Sequence, residues 1–143
     1  MAGVVSTPIF SKDGQYISLE VETAAITLGQ VVCLGSTGDK ALIGTAANDH
    51  KAIGVATGAD RFSRNQTDDS VAVGQKVTVC TRGIVYVTTD TSAILVGSLV
   101  EAADAGVVQL HTPGTTNHQD VLGMALDANG SAATQIRVKL FRG

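Results

Sequence analysis

Three histidines, His50, His111 and His118, are the side chains best suited to proton transfer or metal binding near neutral pH. His111 and His118 stand seven apart across a Pro113-Gly114 turn, a spacing that matches no zinc site, and no cysteine lies near them. All three fall in polar stretches, which predicts solvent-facing loop histidines; on a symmetric oligomer one could meet its copies at an axis. Asp68 and Asp69 are adjacent carboxylates, and neighbours on a turn or strand point apart, whereas a general acid–base pair must face one substrate. Glu101 and Asp104 read as isolated charges. Asp127-Ala128-Asn129-Gly130 opens like a calcium loop but lacks the glutamate that closes one, so it reads as a turn.

Nucleophile and phosphate motifs are equally incomplete. Ser36 and Ser63 have no Gly-x-Ser-x-Gly around them. Gly35-Ser36-Thr37-Gly38-Asp39-Lys40 echoes a phosphate loop without its lysine placement or a following helix, so a β-turn is expected there. Asn65-Gln66-Thr67 and Asn129-Gly130-Ser131 are glycan acceptors only on a secretory route and otherwise turn residues. Cys33 and Cys80 sit singly in apolar segments and are expected as reduced, buried small hydrophobes. The sequence therefore assigns no catalytic residue, no cofactor-binding residue and no metal ligand.

The elements around these residues read as all-β. Apolar residues make up 44% of the 143, aromatics only 3%, and Trp is absent, so Val, Ile, Leu and Ala must fill the core. The net charge of −3 gives no reason to seek nucleic acid, and no apolar run is long enough to span a bilayer. No signal peptide is visible, which predicts synthesis in a cytoplasm. Arg137, Lys139 and Arg142 are read as the wet face of a final strand.

Residues 1–14 read as an extended N-terminal arm, Val4-Val5-Ser6-Thr7-Pro8-Ile9-Phe10 ending in the turn Lys12-Asp13-Gly14. Apolar residues so near a terminus need a cover, either the protein's own body or a partner. The remainder, 15–143, is expected to form one barrel domain. Tyr16–Val21 alternates as a half-buried strand, 58–70 is a polar excursion, and 135–141 closes the chain as a strand. Val71–Cys80 and Ile84–Thr89 read as two arms of a hairpin joined by Thr81-Arg82-Gly83. Ser92–Ala105 reads as strand, with room for a short helical turn near Asp90–Leu95.

One pattern is stated twice. Ile26-Thr27-Leu28-Gly29-Gln30-Val31-Val32, a glycine at Gly38, and Ile53-Gly54-Val55-Ala56 are matched by Ile94-Leu95-Val96-Gly97-Ser98-Leu99-Val100, Gly106, and Leu122-Gly123-Met124-Ala125. Gly29 to Gly54 spans 25 residues and Gly97 to Gly123 spans 26. Duplication of a strand–turn–strand unit predicts a small β-barrel or β-clip, and the repeated residues are scaffold.

With Val71–Val87 between them, these stretches resemble a family of small tailed-phage head decoration, or capsid cement, proteins. The resemblance spans most of 20–141 and rests on glycine and apolar positions. It implies a β-tulip-like or β-clip-like barrel, a homotrimer, and a place on the outer capsid surface of the virion. There the protein would bind the major capsid protein at inter-capsomer junctions and resist internal DNA pressure. It carries over no catalytic residue. Val4, Val5, Pro8 and Ile9 are the candidate capsid-binding residues, through strand addition to a sheet edge. Two alternatives differ in class. A trimeric nucleotide hydrolase of β-clip type needs a carboxylate that Gly83-Ile84-Val85-Tyr86 lacks. A ligand- or glycan-binding module of a phage tail needs aromatic platforms, and only Phe10, Tyr16, Phe62, Tyr86 and Phe141 are available.

Overall fold

A computed structural model describes residues 15–59, 70–112 and 120–141. The arm residues Val4, Val5, Pro8 and Ile9, the Asp68-Asp69 pair and His118 lie outside the described residues. Eleven strands are described: β1 Gln15–Val21, β2 Ile26–Thr27, β3 Val31–Leu34, β4 Lys40–Ile43, β5 Ala52–Ala59, β6 Ser70–Val71, β7 Lys76–Thr88, β8 Leu99–Ala102, β9 Val108–Leu110, β10 Val121–Ala125 and β11 Gln135–Leu140. Short 3-10 turns lie at Asp49–Lys51 and Asp104–Gly106. No α-helix occurs among the described residues, and the all-β expectation holds.

Nine strands form one sheet in the order β1-β4-β3-β5-β7-β11-β10-β8-β9, and β1 also pairs with β7, closing a five-stranded barrel. The second half repeats that plan with the far end of β7 in the place of β1. Leu19 opposite Val77 and Ile17 opposite Val79 are matched by Val87 opposite Ile136 and Val85 opposite Val138. The parallel β1–β4 pairing that closes the first unit is matched by a single parallel bridge between Thr89 and Val108. The duplication read from the sequence is thus a duplication of structure, with β7 shared by both units.

Backbone hydrogen bonds repeat with it. Gly29 N–H donates to Ala56 O at 2.8 Å and Ala56 N–H to Gln30 O at 2.9 Å; Gly97 to Ala125 and Ala125 to Ser98 are both 2.8 Å. Gly29 and Gly97 have φ of 98° and 89°, the left-handed region that glycine enters without a Cβ penalty. Each is the third residue of a turn whose last side chain accepts from the first N–H: Gln30 Oε1 from Thr27 at 2.8 Å, and Ser98 Oγ from Leu95 at 3.0 Å. A third such turn, Ala72-Val73-Gly74-Gln75, follows the same rule, with Gln75 Oε1 accepting from Ala72 N–H at 3.2 Å and Gly74 at φ 86°.

Two expectations are corrected here. The stretch from Val71 to Cys80 is not one strand, because the Gly74 turn separates β6 from β7. Thr81-Arg82-Gly83 is not a hairpin connection either: β7 runs straight through it for 13 residues. The turn-like composition marks a change of partners instead. Up to Arg82 the strand pairs with β1, and from Gly83 onward with β11. Gly83, at φ 133°, supplies the local irregularity where one unit hands over to the next.

Two apolar clusters fill the units. Leu19, Val21, Ile26, Val32, Val71, Val77 and Val79 pack inside the first barrel. Val31, Cys33, Val55 and Cys80 join Val85, Val100, Leu122, Ile136 and Leu140 in a larger cluster that fuses the two units. With each buried Val, Leu or Ile contributing about 1.5–3 kcal/mol, small aliphatics suffice without Trp. Both cysteines are buried there, Cys33 Sγ donating to Asn48 O and Cys80 Sγ to Arg82 O, each at 3.2 Å. Burial raises the Cys80 thiol pKa.

Candidate functional site

The residues singled out for chemistry divide into three places. His50 lies on the exposed 3-10 turn, as expected. His111 does not: it is buried, and its Nδ1 lies 2.9 Å from Glu101 Oε1. Glu101, read as isolated, is buried too, and Gln109 Nε2 also donates to it at 3.4 Å. The antiparallel β8–β9 register sets Glu101 opposite Gln109 and brings His111, just beyond β9, to its side.

Asp49 and Asp120 complete this polar group. The pKa of Asp49 is raised, first by burial, then by a hydrogen bond with the Glu101 carboxyl and by the charges of Asp120 and Glu101. Three carboxyls and an imidazole therefore meet where the 3-10 turn of the first unit abuts β8 of the second. The Glu101 and His111 side chains are only 2% and 0% exposed, so no substrate reaches them. Among the described residues no set of three or more His, Cys, Asp and Glu side chains could hold a metal ion. This group lies where the two units meet, with His111 and Gln109 both bonded to the Glu101 carboxylate.

Asn129 is a second buried polar centre that the sequence reading took only for a turn residue. Its backbone N–H donates to Ile94 O at 3.1 Å and its Oδ1 accepts from Ile94 N–H at 3.1 Å. Its Nδ2 donates to Ser92 O at 2.7 Å and to Asp90 O at 3.2 Å. In the first unit the residue equivalent to Ile94, Ile26, pairs with Val71 of β6. Asn129 thus replaces a strand. The Asp127-Ala128-Asn129-Gly130 segment is a structural turn, and Asp127 holds Arg137 through two bonds of 3.0 and 2.8 Å. That pairing lowers the pKa of Asp127.

A cleft lies where the Thr27–Gln30 turn faces Ala105–Val107, with Thr88 and Gln135 on its rim. No titratable side chain lines it, so its lining offers no general acid or base. The surface instead presents apolar side chains at turns and ends: Leu95 is 66% and Val96 70% exposed, with Val73, Ile17, Tyr16 and Phe141 also open to solvent. Large exposed aliphatics on a protein this short of aromatics suit contact with other proteins better than recognition of a small molecule.

Comparisons with known proteins point the same way. The structure matches that of the N base of head fibre gp8.5 of bacteriophage phi29 with a TM-score of 0.50 over 91% of this chain and 96% of that one. At 12% identity this shows a shared fold. No curated protein sequence matches the chain. The sequence profile of the structural cement protein family of phages, described by E217 gp24 and Pam3 gp6, matches residues 3–140 and so spans both units. That match takes in nearly the whole chain, and the chain belongs to the phage structural cement proteins.

Proposed function

We propose that this protein decorates the outer surface of a tailed-phage head, binding the major capsid protein at junctions between capsomers and holding them against the pressure of packaged DNA. The observation that carries the reading is the family match over residues 3–140, which takes in nearly the whole of 1–14 as well as both units. The physical argument is rigidity. A 13-residue strand common to both units, with a shared apolar cluster, resists hinge motion between them. A cement needs such a body, because strain at a junction must be transmitted and not absorbed.

In this reading the chain is made in the host cytoplasm, assembles as a homotrimer and is not an enzyme. The 1–14 arm attaches it to the capsid, with Val4, Val5, Pro8 and Ile9 adding a strand to a capsid sheet edge. Several modest arm contacts per trimer together give tight attachment. Co-sedimentation with expanded, undecorated heads tests this. Saturable binding that is weakened by removal of residues 1–13, or by Val5→Asp with Ile9→Asp, is the expected result. Binding indifferent to the arm would move the contact to the barrels, and no binding at micromolar concentration would overturn the proposal.

A further inference from the structure

We infer that Asn129 is a site of spontaneous covalent modification that the folded chain holds closed: when its turn opens, the side-chain amide converts to a carboxyl group and the second unit cannot re-form as it was. Four asparagines occur in the chain, Asn48, Asn65, Asn117 and Asn129, and only Asn129 is followed by glycine. With no Cβ on the following residue, the next backbone nitrogen reaches the asparagine side chain with little hindrance. The Gly130 nitrogen attacks Asn129 Cγ, the bond from Cγ to Nδ2 breaks, and the proton of Gly130 N–H leaves with Nδ2 as ammonia. The product is a five-membered cyclic imide. Water adds to either of its carbonyl carbons and opens the ring, to aspartate or to isoaspartate.

The fold both creates this pair of residues and restrains it. Gly130 sits at φ 64° with nothing within 4 Å of a Cβ placed on it, so glycine is there for its left-handed backbone and not for space. Asn129 is 5% exposed, and both ends of its amide are engaged. Oδ1 accepts from Ile94 N–H at 3.1 Å and from Ser131 N–H at 3.0 Å. Nδ2 donates to Ser92 O at 2.7 Å, and to Asp90 O and Thr89 Oγ1 each at 3.2 Å. The imide draws Cγ into a ring with the Gly130 nitrogen and expels Nδ2, so these bonds cannot survive closure. The turn must open first, and the rate follows the open population.

The change runs one way because neither product fits. Aspartate sets an ionised oxygen where Nδ2 stood, facing the Ser92 and Asp90 carbonyl oxygens with no hydrogen to give. Isoaspartate adds a methylene group to the main chain inside the turn. The first unit has no such weakness, since the β2–β6 pairing of Ile26 with Val71 does there what the Asn129 amide does in the second. A copy opened by heat or load is therefore marked in its second unit. The inference does not depend on capsid attachment.

The full-length wild-type chain, held at mildly alkaline pH in buffer and in guanidinium chloride, tests this. The peptide spanning residue 129 is followed by mass spectrometry, with the aspartate and isoaspartate forms separated. In denaturant Asn129 should convert first of the four asparagines, and in buffer at least about a hundredfold more slowly. Gly130→Ala, read in denaturant where folding plays no part, should remove the lead of Asn129 over the others. Chains converted in denaturant and returned to buffer should unfold at lower urea concentration than unconverted ones, and Asn129→Asp should reproduce the loss for the aspartate form. Conversion in buffer as fast as in denaturant overturns the restraint. Conversion at Asn129 no faster than at Asn48 in denaturant overturns the site. Converted chains that regain the wild-type midpoint overturn the one-way consequence.

Discussion

Substitution of Gly54 by alanine probes the packing of the repeat where it is tightest. A Cβ there would stand 2.0 Å from the Cys80 carbonyl oxygen and 2.8 Å from its carbon, so β5 and β7 must part by about 1 Å to reach even a tight contact of 3.0 Å. The obstacle is backbone, and no side-chain rotation relieves it. Overpacking of a rigid site costs about 1–3 kcal/mol. Stretching the neighbouring ladder bonds adds roughly 1 kcal/mol for each one weakened. The total, about 3–5 kcal/mol, is a large share of the roughly 5–15 kcal/mol that holds a domain folded. At roughly 3–5 °C per kcal/mol for a chain of this length, the midpoint should fall by about 10 °C or more. Gly123→Ala should follow closely, because its Cβ would meet Lys139 O at 2.3 Å. Gly38→Ala, with open space around it, should change stability by less than about 1 kcal/mol. Urea unfolding followed by circular dichroism measures all three. A Gly54→Ala protein within 1 kcal/mol of wild type would refute the argument from close approach.

Other expectations follow from the buried polar groups. Asn129→Ala removes partners from Ile94 N–H and Ser92 O together, at about 1–3 kcal/mol for each buried group left unsatisfied, so urea unfolding should show a loss of about 2–6 kcal/mol. The raised pKa of Asp49 means that the folded chain holds this proton more tightly than the unfolded one. Its contribution is full below the ordinary carboxyl value of 3.8 and is lost as pH rises through the folded pKa. Asp127, lowered by Arg137, works the other way: its contribution is present above 3.8 and lost as pH falls through its folded value. Carboxyl-carbon NMR titration should place Asp49 above Asp127; the reverse order would contradict the geometry. Cys33 and Cys80 should resist a thiol reagent in the folded protein and react together on unfolding; a fast-reacting thiol in buffer would contradict their burial.

The scaffold was legible because its glycines answer to backbone geometry. Gly29 and Gly97 sit at positive φ, and Gly54 and Gly123 each leave room for a carbonyl, so each copy needs glycine at the same two places and the repeat is visible. The shared strand was hidden for the opposite reason. Thr81-Arg82-Gly83 has the composition of a turn, and what it encodes, a change of strand partners at Gly83, has no local sequence signature. Glu101 and His111 were misread because charged and imidazole side chains usually stay wet. A signal was nonetheless present: in the repeat Glu101 takes the place of Cys33, and both are buried in the middle of their strands. Asn129 replaces a whole strand with one amide, and only the hydrogen-bond pattern discloses that.

The most direct test of the cement reading is mechanical. DNA-filled heads lacking the protein would be heated with and without a saturating amount of it, and genome release followed by a DNA-binding dye. A rise in release temperature that tracks occupancy, and that is lost without residues 1–13, is the predicted result. Heads that bind the protein fully yet release their DNA at an unchanged temperature would contradict it.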